Sequence, residues 1–156
     1  MHKILFVCYG NICRSPMAQM VMEHIVKLNK DKTFLIDSCA TSTEEIGNSM
    51  YYMTKNTLEK NNIEILSHYA RQITDVDYQK FDYIICFDNN NLETLKEKFA
   101  RDKDNKVHLL LEYTGDAKEI IDPWYYRNFD ECFTNIYKGC ESLYNYIITE
   151  RKWYYV

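Results

Sequence analysis

The stretch FVCYGNICRSP, residues 6–16, runs an apolar segment into Cys8, crosses a five-residue loop and arrives at Arg14, Ser15 and Pro16. Gly10 and Asn11 in that loop are residue types that tolerate left-handed backbone. A loop of that kind can turn successive N–H groups inward and form an anion-binding nest. Pro16 suits the first turn of a helix, and a helix pointing its N-terminus at the nest adds positive potential there. Arg14 adds a planar fork that holds two oxygens of a tetrahedral oxyanion at once. Tyr9, Gly10, Asn11, Ile12 and Cys13, between Cys8 and the Arg14–Ser15 pair, thus form a candidate phosphate cradle. Inorganic phosphate, sulfate or vanadate would be its simplest ligands. A cysteine at the floor of such a cradle is pushed toward the thiolate by the same positive groups. Ser15 can donate a hydrogen bond to that sulfur and stabilise it as it leaves. A thiolate under a bound phosphoryl group is an in-line nucleophile. The alternative is a buried strand-end cysteine and a solvated arginine.

These residues need elements to position them. KILFVC (3–8) reads as a buried strand, and Ser15 to about Asn29 as a helix with Met17, Val21, His24 and Leu28 at helical spacing. Further strands are expected at 33–39, 81–87 and 106–111, with helices at 48–62, 91–100 and 129 to about 150. Short strands alternating with helices predict an α/β fold: a single domain over 1–156, a three-layer sandwich with a four-stranded parallel sheet flanked by helices. Ligands in such sheets bind beyond the carboxyl ends of the strands, where Cys8 falls.

The 156 residues carry a formal net charge of −4, which leaves no basic footprint for nucleic acid or an anionic membrane surface. No apolar run approaches the ~20 residues of a spanning helix. MHKILFVC lacks a small-residue cleavage site and reads as a first strand rather than a signal peptide, so a cytoplasmic location is expected. The six cysteines, at 8, 13, 39, 86, 132 and 140, make no paired CxxC motif, and free thiols in a reducing compartment are expected. The tail RKWYYV reads as packing for the last helix or as a docking motif.

A second chemical group is Asp122. It precedes Pro123, Trp124 and Tyr125, an acid beside aromatics that could serve a phosphotyrosine ring. Asp-Pro also starts turns, and the residues alone leave both readings open. His68 is equally open between a functional and a packing role.

VCYGNICRSPMAQ resembles the low-molecular-weight protein tyrosine phosphatase family, and IDSCATS (36–42), SHYARQIT (67–74), FDYIICFDNNNL (81–92) and DPWYY (122–126) look like family segments in family order. The resemblance implies a four-stranded parallel sheet and no cofactor or metal. It implies Cys8 as nucleophile, Arg14 as phosphate clamp and Asp122 as general acid, with Asn11 held in a strained conformation by Ser15, Ser38 and His68. Substrates would be phosphotyrosine proteins or small aryl phosphates, and the protein a monomer or weak dimer. The family has a cysteine at Cys13 that can pair with the nucleophile, which implies redox protection. The departures lie at the rim, formed by Tyr9, Glu44, Glu45, Trp124 and Tyr125. Glu44 and Glu45 stand where the family often has Trp followed by Asn or His. Cys39-Ala40 stands where a Gly is common, and Phe87, Asn90 and Trp124 replace a usual Met, Ser and Tyr.

Relatives of the fold reduce arsenate or remove phosphate from arginine. The reductase needs two further cysteines after the third strand, whereas Cys86 lies inside that strand and no cysteine follows before Cys132. The arginine phosphatase has a Thr where this chain has the bulkier Ile12, which favours an aromatic ring. A non-catalytic phosphotyrosine-binding module would lack the nucleophile or the acid, and both are present. A cysteine protease would need a histidine paired with Cys8, and none is implied.

Overall fold

The structure is a computed structural model that describes the backbone of residues 1–154 and the side chains of 1–150. The side chains of RKWYYV therefore lie outside the described residues. In chain order the elements are β1 (His2–Cys8), α1 (Arg14–Leu28), β2 (Phe34–Ala40), α2 (Tyr52–Lys60), α3 (Asp75–Lys80), β3 (Tyr83–Cys86), α4 (Asn89–Lys98), β4 (Val107–Leu109), α5 (Pro123–Tyr126) and α6 (Phe129–Tyr154), with a 3₁₀ turn at Leu110–Thr114. The four strands form one parallel sheet in the order β2-β1-β3-β4.

Both faces of the sheet are buried, and the alternation along β1 shows how. Ile4, Phe6 and Cys8 join the core under α1 and α6, while Leu5 and Val7 join a second core with Leu95 and Phe99 of the α4 side. Side chains alternate across a strand with period two, so a strand covered on both faces must be apolar throughout. ILFVC (4–8), the buried part of β1, meets that demand.

The strand order places the candidate loop. β2 pairs on one side of β1 and β3 on the other. The carboxyl end of β1 is therefore the switch point of the sheet, where connections leave in opposite directions and open a crevice. Cys8 is the last residue of β1, and the loop into α1 fills that crevice.

The sequence expectations differ from the structure in four places, one of them the short helix α5, which was not expected. The helix expected over 48–62 starts only at Tyr52, because Ser49 pairs with Tyr69 in an isolated antiparallel bridge. The strand expected over 106–111 ends at Leu109, and the buried Leu110 and Leu111 belong to the 3₁₀ turn. Helix α3 was not foreseen. It opens on a capping box in which the Thr74 side chain accepts from the Asp77 N–H and Asp77 answers the Thr74 backbone.

Candidate active site

The loop between β1 and α1 wraps its donors around one sulfur. The backbone N–H groups of Asn11 and Ser15 reach the Cys8 Sγ at 3.3 and 3.4 Å, and the Ser15 Oγ lies 3.0 Å from it. Ser15 Oγ also accepts from Asn11 Nδ2 at 2.7 Å. Its single proton is thus left for an acceptor, and a Cys8 thiolate at 3.0 Å is nearer than the Cys39 carbonyl at 3.4 Å. Cys13 occupies the N-cap of α1 without a side-chain cap, so the helix end faces the loop with its own N–H groups.

The loop holds its shape through Asn11, which is 1% exposed and sits at φ 60°. Every capacity of its amide is used. Nδ2 donates to Ser15 Oγ and to Ser38 Oγ (3.0 Å), while Oδ1 accepts from His68 Nε2 (2.8 Å) and from the Arg71 N–H (3.3 Å). Ser38 passes its own proton to Gln19 Oε1 at 2.6 Å. Because Asn11 Oδ1 can only accept, His68 must carry its proton on Nε2. Arg71 is fixed in turn by a bidentate pair with Asp77 (2.9 and 3.1 Å) and by Asp37 at 3.0 Å. Ser38 and His68 therefore stand behind the loop rather than in the pocket.

Arg14 is buried at 2% exposure with three partners. Its Nη1 donates to Asp88 Oδ2 at 2.7 Å and to the Ile120 carbonyl at 2.8 Å, and its Nη2 lies 3.6 Å from Asp122 Oδ2. Burial works against its charge, but Cys8, Asp88 and Asp122 around it raise its pKa further. Asp122 is the N-cap of α5, its Oδ1 accepting from the Trp124 N–H at 3.0 Å, and this fixes the carboxyl group while Oδ2 turns to Arg14.

A pocket opens above the sulfur. Cys8, Gly10, Ile12, Cys13 and Arg14 line its floor and wall, Asp122 stands at its side, and Tyr9, Glu44, Glu45, Trp124 and Tyr125 form its mouth. Every rim residue named from the sequence reaches it, including Glu44 and Glu45 from the distant loop after β2.

The family model for low molecular weight phosphotyrosine protein phosphatase matches residues 3–152. This chain belongs to that family. Membership makes it an enzyme of the protein-tyrosine-phosphatase class. The human low molecular weight phosphotyrosine protein phosphatase is 41% identical over 140 residues, which cover 88% of this chain and 87% of the human one; for the Gallus gallus protein the identity is 44% over the same shares. Among solved structures, Bacillus subtilis YfkJ superposes with a TM-score of 0.92 at 34% identity, covering 96% of each chain. The Drosophila arginine phosphatase superposes at 0.86 with 29% identity, covering 93% of this chain and 97% of its own.

Three site residues of this phosphatase were not found from the sequence. Asp88 and the Ile120 carbonyl hold Arg14, and Arg71 lends its N–H to Asn11. Asp88 follows β3 directly, at the same carboxyl edge of the sheet as Cys8, and that position was the available signal.

The His68 contact has a consequence for stability. Burial lowers its pKa from 6.5, with the pull of Asp37 acting the other way. The unfolded chain therefore takes up a proton at a pH where the folded one resists it. The contribution of His68 is complete above pH 6.5 and is lost as the pH falls below it. Urea unfolding measured across that interval should give falling midpoints, and His68→Gln should flatten this part of the profile. An identical slope in the variant would show that His68 is not the group responsible.

Proposed function

We propose that the chain hydrolyses phosphotyrosine and small aryl phosphates through a cysteinyl-phosphate on Cys8, without a cofactor. The observation that carries this reading is the convergence on one pocket of a sulfur with three donors, a buried arginine, and a carboxyl group 3.6 Å from that arginine. Phosphate oxygens would take the inward N–H groups of the loop and the free edge of the Arg14 guanidinium. The Cys8 thiolate attacks phosphorus opposite the ester oxygen. The P–O bond breaks as the S–P bond forms, and Asp122 gives its proton to the departing phenolate. A water then attacks the cysteinyl-phosphate, Asp122 takes its proton, and inorganic phosphate leaves with the thiolate regenerated. Charge on the phosphoryl oxygens is met by donors already in place, which is the largest share of catalysis in such transfers. Six buried free cysteines fit a reducing compartment such as the cytoplasm.

The test is a panel of phosphotyrosine, phosphoserine and phosphoarginine peptides without metal. Phosphoarginine belongs in it because of the Drosophila neighbour, and Ile12 in the pocket wall should disfavour it. Phosphate release should be fastest from phosphotyrosine, and Cys8→Ser should abolish it. Asp122→Ala should slow it by about 10²–10⁴, the usual share of general acid catalysis, and the loss should shrink for aryl phosphates whose leaving groups need no proton. A preference for phosphoarginine, or an equal Asp122→Ala loss for all leaving groups, contradicts the assignment.

The pocket also gives small oxidants a route to the buried Cys8 sulfur. Peroxide would take the Cys8 thiolate to the sulfenic acid, and Cys13 could close a disulfide with loss of water, sparing the irreversible sulfinic state. Burial pushes the Cys13 thiol up to about 12, so it is protonated at rest. After peroxide and then dithiothreitol, wild type should recover more activity than Cys13→Ser. Equal recovery would remove Cys13 from this role.

A further inference from the structure

We infer that the mouth of the pocket selects phosphotyrosine segments with lysine or arginine beside the phosphotyrosine, an inference that rests on the phosphatase reading above. The charges lining the pocket are unevenly placed. Arg14 lies at the bottom, committed to Asp88, Ile120 and the phosphate. At the mouth stand Glu44 and Glu45.

Both carboxylates are held in place by neutral partners. Glu44 Oε1 accepts from the Tyr9 hydroxyl at 2.7 Å. Glu45 Oε2 accepts from Asn48 Nδ2 at 2.6 Å, and its Cγ packs over the cradle itself, 3.5 Å from where a Cβ on Gly10 would stand. Neither carboxylate has an ion-pair partner among the described residues. The exposed Arg127 lies over the rings of Tyr51 and Trp124, donates to the Tyr51 hydroxyl and forms no ion pair with either carboxylate.

A phosphotyrosine ring inserted to the depth of Cys8 brings its neighbouring residues against this mouth. A cation there meets one or both fixed carboxylates, with the exposed Trp124 and Tyr125 rings as further cation partners. Because the carboxylates are already anchored, pairing costs little additional side-chain ordering. Glutamate or aspartate at the same place meets like charge instead. Exposed pairs are individually weak, and two together correspond to about three- to tenfold in kcat/KM.

The experiment compares two phosphotyrosine peptides identical except for lysine or glutamate on both sides of the phosphotyrosine, at low and high salt. It uses wild type and Glu44→Gln/Glu45→Gln, with para-nitrophenyl phosphate as a substrate without flanks. The lysine peptide should be favoured about three- to tenfold by wild type at low salt. That ratio should fall toward one at high salt and in the double variant. A ratio near one in wild type at low salt, or a ratio that survives the double substitution, overturns the inference. Should the variant fail to fold, a wild-type preference that salt does not reduce overturns it as well. Absence of turnover on para-nitrophenyl phosphate is a different failure: it removes the phosphatase reading, and the rim inference with it.

Discussion

The site depends on one buried amide. Asn11 sits in left-handed backbone at φ 60° and spends two donors and a doubly used acceptor on four neighbours. Asparagine suits both demands, since it visits that region more readily than other non-glycine residues and carries donor and acceptor on one short side chain. Aspartate has the size but no donor, and glycine has the backbone freedom but no side chain. A buried polar knot is stable only when fully satisfied, because each partner left open costs about 1–3 kcal/mol. With the knot closed, the Asn11 N–H points at the Cys8 sulfur and the Ser15 hydroxyl is held 3.0 Å from the same atom.

The knot is assembled from separate parts of the chain because of the sheet. Cys8 ends β1, Ser38 lies in β2 beside it, and Asp88 follows β3 on the other side. His68 and Arg71 come from the connection after α2, and Asp122 from the N-cap of α5. The pairing of β1 with both neighbours brings Cys8, Ser38 and Asp88 to one edge, and the connections at 61–74 and 115–122 carry the others to it. Arg14 then joins the halves, since its acidic partners Asp88 and Asp122 arrive from different connections.

What could be read from the sequence follows the range of the interactions. The cradle was legible because strand, loop and helix start lie within one short segment, and each step has a residue-type reason. The parallel sheet was legible because ILFVC (4–8) and YIICF (83–87) are unbroken runs of apolar and aromatic residues, as strands covered on both faces must be. Asp88 was not, because its tie to Arg14 spans 74 residues and exists only once β3 lies next to β1. Helix α3 was missed although Thr74 and Asp77 carry its capping signature, since six residues give too short an apolar pattern to see. The start of α2 was misplaced because the bridge of Ser49 to Tyr69 is a tertiary contact with no local mark. The resemblance supplied the roles of Ser38 and His68, which spacing alone left open.

The account turns on the Cys8 sulfur taking the phosphoryl group. Rapid acid quench of Asp122→Ala during turnover of an aryl phosphate with a good leaving group, followed by peptide mapping, tests this directly. The slowed hydrolysis of the intermediate should let the phosphoryl group accumulate on the peptide containing Cys8, while the phenol it displaces appears as a burst. A burst-free time course with no modified peptide, or a phosphoryl group on any other residue, would contradict it.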